Sequence, residues 1–195
     1  MKKIGVIFGG MSTENKVSCI SGMSVIDNLD KEKYEIFPIF IDKNGNWFKI
    51  KVTEKKELKI ENREKIENVF KYLKHMDVIF PVLHGLYGED GTIQGLFELL
   101  KVPYVGCGVL ASSIGMDKVY TKIIFDKAKI NQTKYVYIRS YKDKYIYVDD
   151  NFNEEILNLK ETSKVIIEKL KFPMFVKPSN SGSSVGISKV NNEKE

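Results

Sequence analysis

At 195 residues, with 43% hydrophobic and 29% charged side chains, the chain has an ordinary globular composition and length for one large domain or two small ones. No stretch reaches membrane-spanning length, and the start, MKKIGVIFGGMSTE, is too briefly apolar to be a secretion signal. The net charge of +5 is almost all lysine, Arg63 and Arg139 being the only arginines, and the lysines alternate with glutamates, as around Lys51 to Glu67. That pattern describes a solvated face; a nucleic-acid surface would cluster its charge and use arginine. Cys19 and Cys107 stand alone in apolar surroundings, so buried, reduced thiols and a cytoplasmic setting are expected.

In chain order, Ile4 to Phe8 reads as a buried parallel strand running into the turn Gly9-Gly10. Ser12 or Thr13 can cap a helix whose apolar pattern, Val17 to Leu29, is loose. Tyr34 to Ile41 is the next strand, with Asn44-Gly45-Asn46 as a tight turn before Trp47 and Phe48. Ile66, Val69, Phe70 and Leu73 have helical spacing, Val78 to Val82 is strand, Ile93, Leu96, Phe97 and Leu100 form a second helical stripe, and Val102 to Val105 is a fourth strand. Strands alternating with helices argue for a parallel sheet with ligand-binding loops at its carboxyl ends.

Beyond Ile114 the character changes. A helix over about Asp117 to Ala128 precedes two tyrosine-rich strands, Thr133 to Ile138 and Tyr145 to Val148. Phe152, Ile156, Leu159, Ile166 and Leu170 then space as one long amphipathic helix, and Met174 to Val176 and Val185 to Val190 flank a Ser/Gly loop. The expected division is an α/β domain, 1–112, followed by an α+β lobe, 113–195.

Several stretches carry chemistry. FVKPSNSGSSVG, Phe175 to Gly186, sets a strand end, a lysine and a glycine- and serine-rich loop in series. Such a loop turns backbone N–H groups toward an anion, and Lys177 adds a point charge, so it reads as a lid over nucleotide phosphates. An ordinary hairpin loop is the plainer reading of that stretch alone. Gly182 to Gly186 also fits G-x-S-x-G, but the hydrolase elbow needs a following helix and a later histidine, and this sequence offers neither.

Glu14, just inside a helix start, either complements the helix dipole or recognises an ammonium group, and Ser18, four residues on, would brace it. HGLYGEDG places His84 where the sheet presents ligands, while Glu89 and Asp90 read as the start of the next helix. His75, in a lysine-rich helix tail, is expected to face solvent, and His84 has no partner for a metal site. Gly106 to Ala111 matches G-x-G-x-x-A but follows the last strand instead of the first, so its glycines read as an interdomain turn. Lys118 opens the next helix and has only its position to distinguish it.

Taken together and in order, FGGMSTENKVS, PVLHGLYGEDGTIQGLFELLKVPYVGCG, ASSIGMDKVYTK and FPMFVKPSNSGSSVGISKV closely resemble the bacterial D-alanine–D-alanine ligases of the ATP-grasp superfamily. The resemblance spans nearly the whole chain, apart from Lys49 to Lys74 and Lys142 to Lys169. It implies an α/β fold with an N-terminal parallel-sheet, Rossmann-like pre-ATP-grasp domain and the α+β central lobe of an ATP-grasp fold, the C-terminal domain being absent. It implies ATP-dependent joining of two D-alanines for peptidoglycan precursors, the first carboxylate becoming an acyl phosphate that the second amine attacks.

Residue by residue, the resemblance implies that Glu14 holds the first D-alanine's ammonium, with His84 lining the same pocket; Ser18, by its helical spacing from Glu14, is expected with them as a substrate-binding residue. Lys118 and Lys177 would contact ATP phosphates, Ser183 would orient substrate and Glu14, and Ser184, Val185 and Gly186 would lend backbone donors. Asn15 departs from the histidine or tyrosine frequent at that position. Mg²⁺ ligands are expected beyond residue 195, as is the loop that selects the second substrate, so the chain alone is expected to be inactive. D-serine or D-lactate as second substrate, and a non-catalytic binding module, stay open. A homodimer through the first domain is implied, with no nucleic acid and no membrane partner.

Overall fold

The computed structural model describes residues 1–50 and 62–195; most of the lysine- and glutamate-rich stretch from Lys51 lies outside the described residues. The chain forms two compact units, residues 1–117 with 180–183, and 118–179 with 184–195.

In the first unit β1 (Lys2–Gly9), β2 (Tyr34–Ile41), β3 (Trp47–Ile50), β4 (Arg63–Lys65) and β5 (Val78–Pro81) form one sheet in the order β4-β3-β2-β1-β5. The three strands β2, β1 and β5 are parallel, and β3 and β4 extend the sheet as antiparallel neighbours. β1 is buried from Ile4 to Gly9, as a strand covered on both faces must be. Alternation sends Ile7 to one face with Ile39, Leu73, Ile79 and Phe97, and Val6 and Phe8 to the other with Ile26, Phe40 and Val82.

The helix α1 (Asn15–Asn28) covers the second of these faces with a buried stripe of Asn15, Ser18, Gly22 and Ile26. A Cβ on Gly22 would stand 2.6 Å from the Cβ of Phe8, so glycine is what lets α1 lie directly on β1. This small, polar stripe is why the apolar pattern of Val17 to Leu29 reads loosely. On the opposite face lie α2 (Val69–Leu73) and α3 (Thr92–Leu100), and α3 buries Ile93, Phe97 and Leu100 as its spacing predicts.

Three local expectations change. Ile66 belongs not to a helix but to the sheet edge, where its N–H donates to Trp47 C=O at 2.8 Å, and α2 starts only after the Asn68 cap. Val102 to Val105 makes a single parallel bridge, Ile79 to Tyr104, instead of a full strand. The glycines at 106 and 108 do form a turn, but it leads into a further helix, α4 (Val109–Met116).

The second unit holds α5 (Lys118–Lys127), a three-stranded antiparallel sheet, and a two-stranded hairpin. The sheet comprises β6 (Tyr137–Tyr141), β7 (Lys144–Val148) and β8 (Glu154–Leu157), and the hairpin β9 (Met174–Val176) and β10 (Ser188–Val190). The long helix expected from Phe152 to Leu170 is two elements, β8 and α6 (Leu159–Lys169). Asn158 divides them: it accepts from Glu161 N–H at 3.0 Å while Glu161 accepts from Asn158 N–H at 2.8 Å, a capping box.

The β2–β3 turn is held by Asp42, whose carboxylate accepts from the N–H groups of Asn44 and Asn46, both at 2.9 Å, and from the Asn46 amide. Burial raises its pKa, but the Asn46 and Asn44 hydrogen bonds and the charge of Arg63 outweigh that and hold it below the usual carboxylate range. A depressed folded pKa contributes stability above the unfolded value of about 4, and that contribution is lost as pH falls through the folded pKa. Asp42→Ala is therefore expected to destabilise the chain by about 1–2 kcal/mol in urea unfolding at neutral pH, with the gap to wild type closing as the acid range is entered.

Candidate functional site

β1 and β5 stop side by side, and the loops leaving their carboxyl ends carry the motif residues. Gly9 and Gly10 adopt φ of 90° and 93°. A Cβ on Gly9 would stand 2.3 Å from Ile41 O, which restricts this turn to glycine. Asn15 clasps it from within α1, donating to Gly10 C=O at 2.6 Å. Asn15 is itself buried, so the residue that departs from the resemblance has a structural task here.

Ser18 is a correction to the sequence reading. It neither braces the Glu14 carboxylate nor faces a ligand, because it is fully buried. Its hydroxyl accepts from Gly9 N–H at 2.8 Å and donates to Val82 C=O at 2.5 Å. The α1 face that carries it is the one pressed against the strand ends, so the hydroxyl meets backbone instead of substrate.

Ser12 joins the two strand-end loops, donating to His84 C=O at 2.7 Å and accepting from Glu14 N–H at 3.2 Å. The Glu14 carboxylate lies against Gly85, where a Cβ would stand 2.3 Å from Oε2, and Gly85 has φ of 70°. Ser183 Oγ donates to Glu14 Oε1, and a Cβ on Gly182 would stand 3.6 Å from Glu14 Oε2. The carboxylate near the start of the chain and the serine of the late loop are thus in direct contact.

His84 precedes Gly85 in the chain, its side chain 32% exposed, with Nε2 3.0 Å from Ser21 Oγ. Glu89 accepts from Gly85 N–H at 2.7 Å and Asp90 from Tyr87 and Thr92 N–H at 2.8 and 3.0 Å; both acids bind the turn just before α3, which starts at Thr92 and not at Glu89 as expected. His75 is exposed, its Nδ1 2.6 Å from Lys71 C=O. A cavity of about 180 Å³ opens beside His84, lined by Met11, Trp47, Leu83, Leu86 and Leu96 among others. A larger hollow of about 510 Å³, against Lys3, Lys49, Lys71 and Tyr72, holds none of the motif residues.

In the second unit Lys177 directly follows β9 and is exposed, its Nζ 5.8 Å from the Phe175 ring centre. Lys118 begins α5, and its N–H donates to Ser179 C=O at 2.8 Å, which ties the two lysine-bearing segments together. Ser183, Ser184 and Gly186 have φ of 49°, 60° and 74°. Two successive non-glycine residues in the left-handed region store roughly 1–3 kcal/mol each. Such strain concentrates where a loop is shaped for a ligand.

The family description D-ala D-ala ligase N-terminus matches residues 3–107, and D-ala D-ala ligase C-terminus matches 124–195. The D-alanine--D-alanine ligase of Clostridium acetobutylicum is 46% identical over 203 residues, covering 100% of this chain and 55% of its own length. The VanG D-Ala:D-Ser ligase from Enterococcus faecalis superposes with a TM-score of 0.79 at 34% identity, over 99% of this chain and 56% of that one. The Bacillus anthracis D-alanine--D-alanine ligase complexed with ATP gives 0.67 at 33%, over 100% and 52%. The fold is therefore an ATP-grasp-type ligase fold, a parallel-sheet unit followed by an α+β unit with a serine-glycine hairpin loop. More narrowly, the chain belongs to the D-ala D-ala ligase family, and it spans about half the length of the curated relatives it matches.

Of the residues expected at the site, the structure joins Glu14 to Ser183 and sets His84 next to Gly85, which backs the Glu14 carboxylate; Ser12 was read only as a helix cap, and Ser21 and the close approach of Gly85 were not anticipated. The S/T-x-E spacing before α1 was the signal for Ser12; nothing in the sequence marks Ser21. Ser18→Ala would leave Gly9 N–H and Val82 C=O buried without this partner. It is expected to cost about 1–3 kcal/mol in urea unfolding of the chain, whereas a surface serine would register near zero.

Proposed function

We propose that this chain provides the first-substrate pocket and the phosphate-binding loop of a D-alanine–D-alanine ligase. One observation carries the reading: Ser183 Oγ is hydrogen-bonded to the Glu14 carboxylate across 169 residues of sequence. That contact unites the two motifs whose chemistry the reaction needs, an acid that reads an ammonium and a loop that follows a phosphate.

In this proposal Glu14 accepts from the ammonium of the first D-alanine. Its carboxylate is already oriented by Ser183 and by the close passage of Gly85, so little is lost in ordering it when substrate arrives. His84 borders the same pocket. Ser183 holds Glu14 in place and, as the loop's side-chain donor, faces the substrate.

ATP fits the residues of the second unit. Lys118 and Lys177 lie on segments joined by a backbone hydrogen bond, and the loop Ser183 to Gly186 carries left-handed backbone at Ser183, Ser184 and Gly186. Lys118 and Lys177 would pair with phosphate oxygens while Ser184, Val185 and Gly186 donate N–H groups. ATP supplies the phosphoryl group that activates the first carboxylate. Among the described residues no cluster of three or more His, Cys, Asp or Glu is placed to hold a metal, and no step is assigned to Mg²⁺. The same reading carries a cytoplasmic homodimer built through the first unit.

The test is D-alanine-dependent phosphate release from ATP by the protein at the length of its relatives. Glu14→Gln removes a charge-assisted hydrogen bond of about 1.5–3 kcal/mol and is expected to raise KM for the first D-alanine roughly 10- to 100-fold. Unchanged kinetics would take Glu14 out of the pocket. Competition among D-alanine, D-serine and D-lactate in the same assay identifies the second substrate.

A further inference from the structure

His84 has a hydrogen-bond partner at one ring nitrogen and a carboxylate near the other. Ser21 Oγ, on α1, lies 3.0 Å from Nε2, and Glu89 Oε1 lies 3.9 Å from Nδ1. The other carboxylate oxygen of Glu89 accepts from Gly85 N–H at 2.7 Å. Glu89 is therefore anchored by the backbone of the turn that starts with His84, and its second oxygen is left facing the ring. Ser21 is half-buried and reaches the ring from the opposite element.

The order Ser, His, acid is that of a hydrolase triad, and that activity is disfavoured by two features. The Glu89 distance of 3.9 Å exceeds a hydrogen bond. Ser21 sits inside α1, where backbone N–H groups are bonded within the helix and offer no oxyanion hole. What the arrangement does supply is orientation. A carboxylate near Nδ1 favours the proton on that nitrogen, which makes Nε2 the acceptor for the Ser21 hydroxyl.

We propose that Ser21 and Glu89 are positioning residues for His84: the Ser21 hydroxyl bonds Nε2 and the nearby Glu89 carboxylate favours the proton on Nδ1 by its charge, so that the pair selects the Nδ1–H tautomer and sets the imidazole beside the turn that backs Glu14. Glu89 also binds the N–H of Gly85, the residue that backs the Glu14 carboxylate. The kinetic consequence rests on the ligase reading above; the tautomer does not.

The chain has only two histidines, so the imidazole ¹⁵N resonances assign simply, with His75→Gln removing the other one. Long-range ¹H–¹⁵N correlation at about pH 8, above the usual histidine titration range, should give the Nδ1–H pattern for His84. Glu89→Ala and Ser21→Ala should each move it toward Nε2–H, and Glu89→Gln, which keeps an acceptor oxygen, should move it less than Glu89→Ala. An Nε2–H pattern in the wild type, or one that neither alanine variant alters, overturns the proposal. In the protein at its relatives' length, Glu89→Ala should raise KM for the first D-alanine roughly 10-fold, as loss of an orienting partner does elsewhere, with KM for ATP within about 2-fold. An equal loss on both substrates overturns the positioning role. A wild type that ignores D-alanine while His84 keeps its Nδ1–H pattern overturns the ligase reading alone.

Discussion

Two strand ends have to finish next to each other for this site to exist, and one buried hydroxyl holds them there. The β1–β5 pairing runs only from Ile4 with Val78 to Ile7 with Pro81. Past that point Gly9 N–H and Val82 C=O are buried, and Ser18 Oγ joins them. Leaving either group unpartnered would cost about 1–3 kcal/mol. The joint requires α1 to approach the sheet closely, and Gly22 against Phe8 permits that approach. Glu14 then stands one turn before Ser18 and His84 two residues after Val82, so the same hydroxyl sets the start of both loops. Ser12 closes the arrangement by bonding one loop to the other.

The late loop is shaped by different means. Its conformation depends on left-handed backbone at Ser183, Ser184 and Gly186, with Gly186 passing so close to Pro178 that a Cβ would stand 2.9 Å from its Cγ. A loop held this way needs partners to offset its strain, and Glu14 supplies one through Ser183. The carboxylate proposed to bind an ammonium therefore has a neutral hydrogen-bond donor on it. A hydroxyl orients the acid without neutralising its charge, which an ammonium-reading group has to retain.

Much of this was legible in the sequence, for identifiable reasons. The β1 run, the α3 stripe and the Asn44-Gly45-Asn46 turn follow hydrophobic period and turn chemistry, and the structure has each of them. The stretch from Phe152 to Leu170 misled because Phe152, Ile156 and Leu159 happen to fall at helical spacing although all three are exposed; the Asn158-x-x-Glu161 capping signal was the better guide. Ile66 misled in the same way, its burial coming from sheet edge packing. Helical spacing alone cannot separate such cases, because short apolar runs fit both periods. At the candidate site, residue types and spacing pointed to His84 and the serine-glycine loop and left Glu14 open, and the family resemblance singled out Glu14 and Ser183, whereas the direction of Ser18 and the partnership of Ser21 and Glu89 with His84 depend on which helix face meets the strand ends. That is tertiary information, and a single sequence does not carry it.

The central claim is that Glu14 and Ser183 act as one unit on the first substrate. A double-mutant cycle measures this directly: Glu14→Gln, Ser183→Ala and the pair, in the protein at its relatives' length, each read as KM for the first D-alanine. The account predicts a coupling of about 1.5–3 kcal/mol, with the double variant no worse than the more impaired single one. Effects that add to within about 0.5 kcal/mol would mean that the two side chains work independently, and would contradict it.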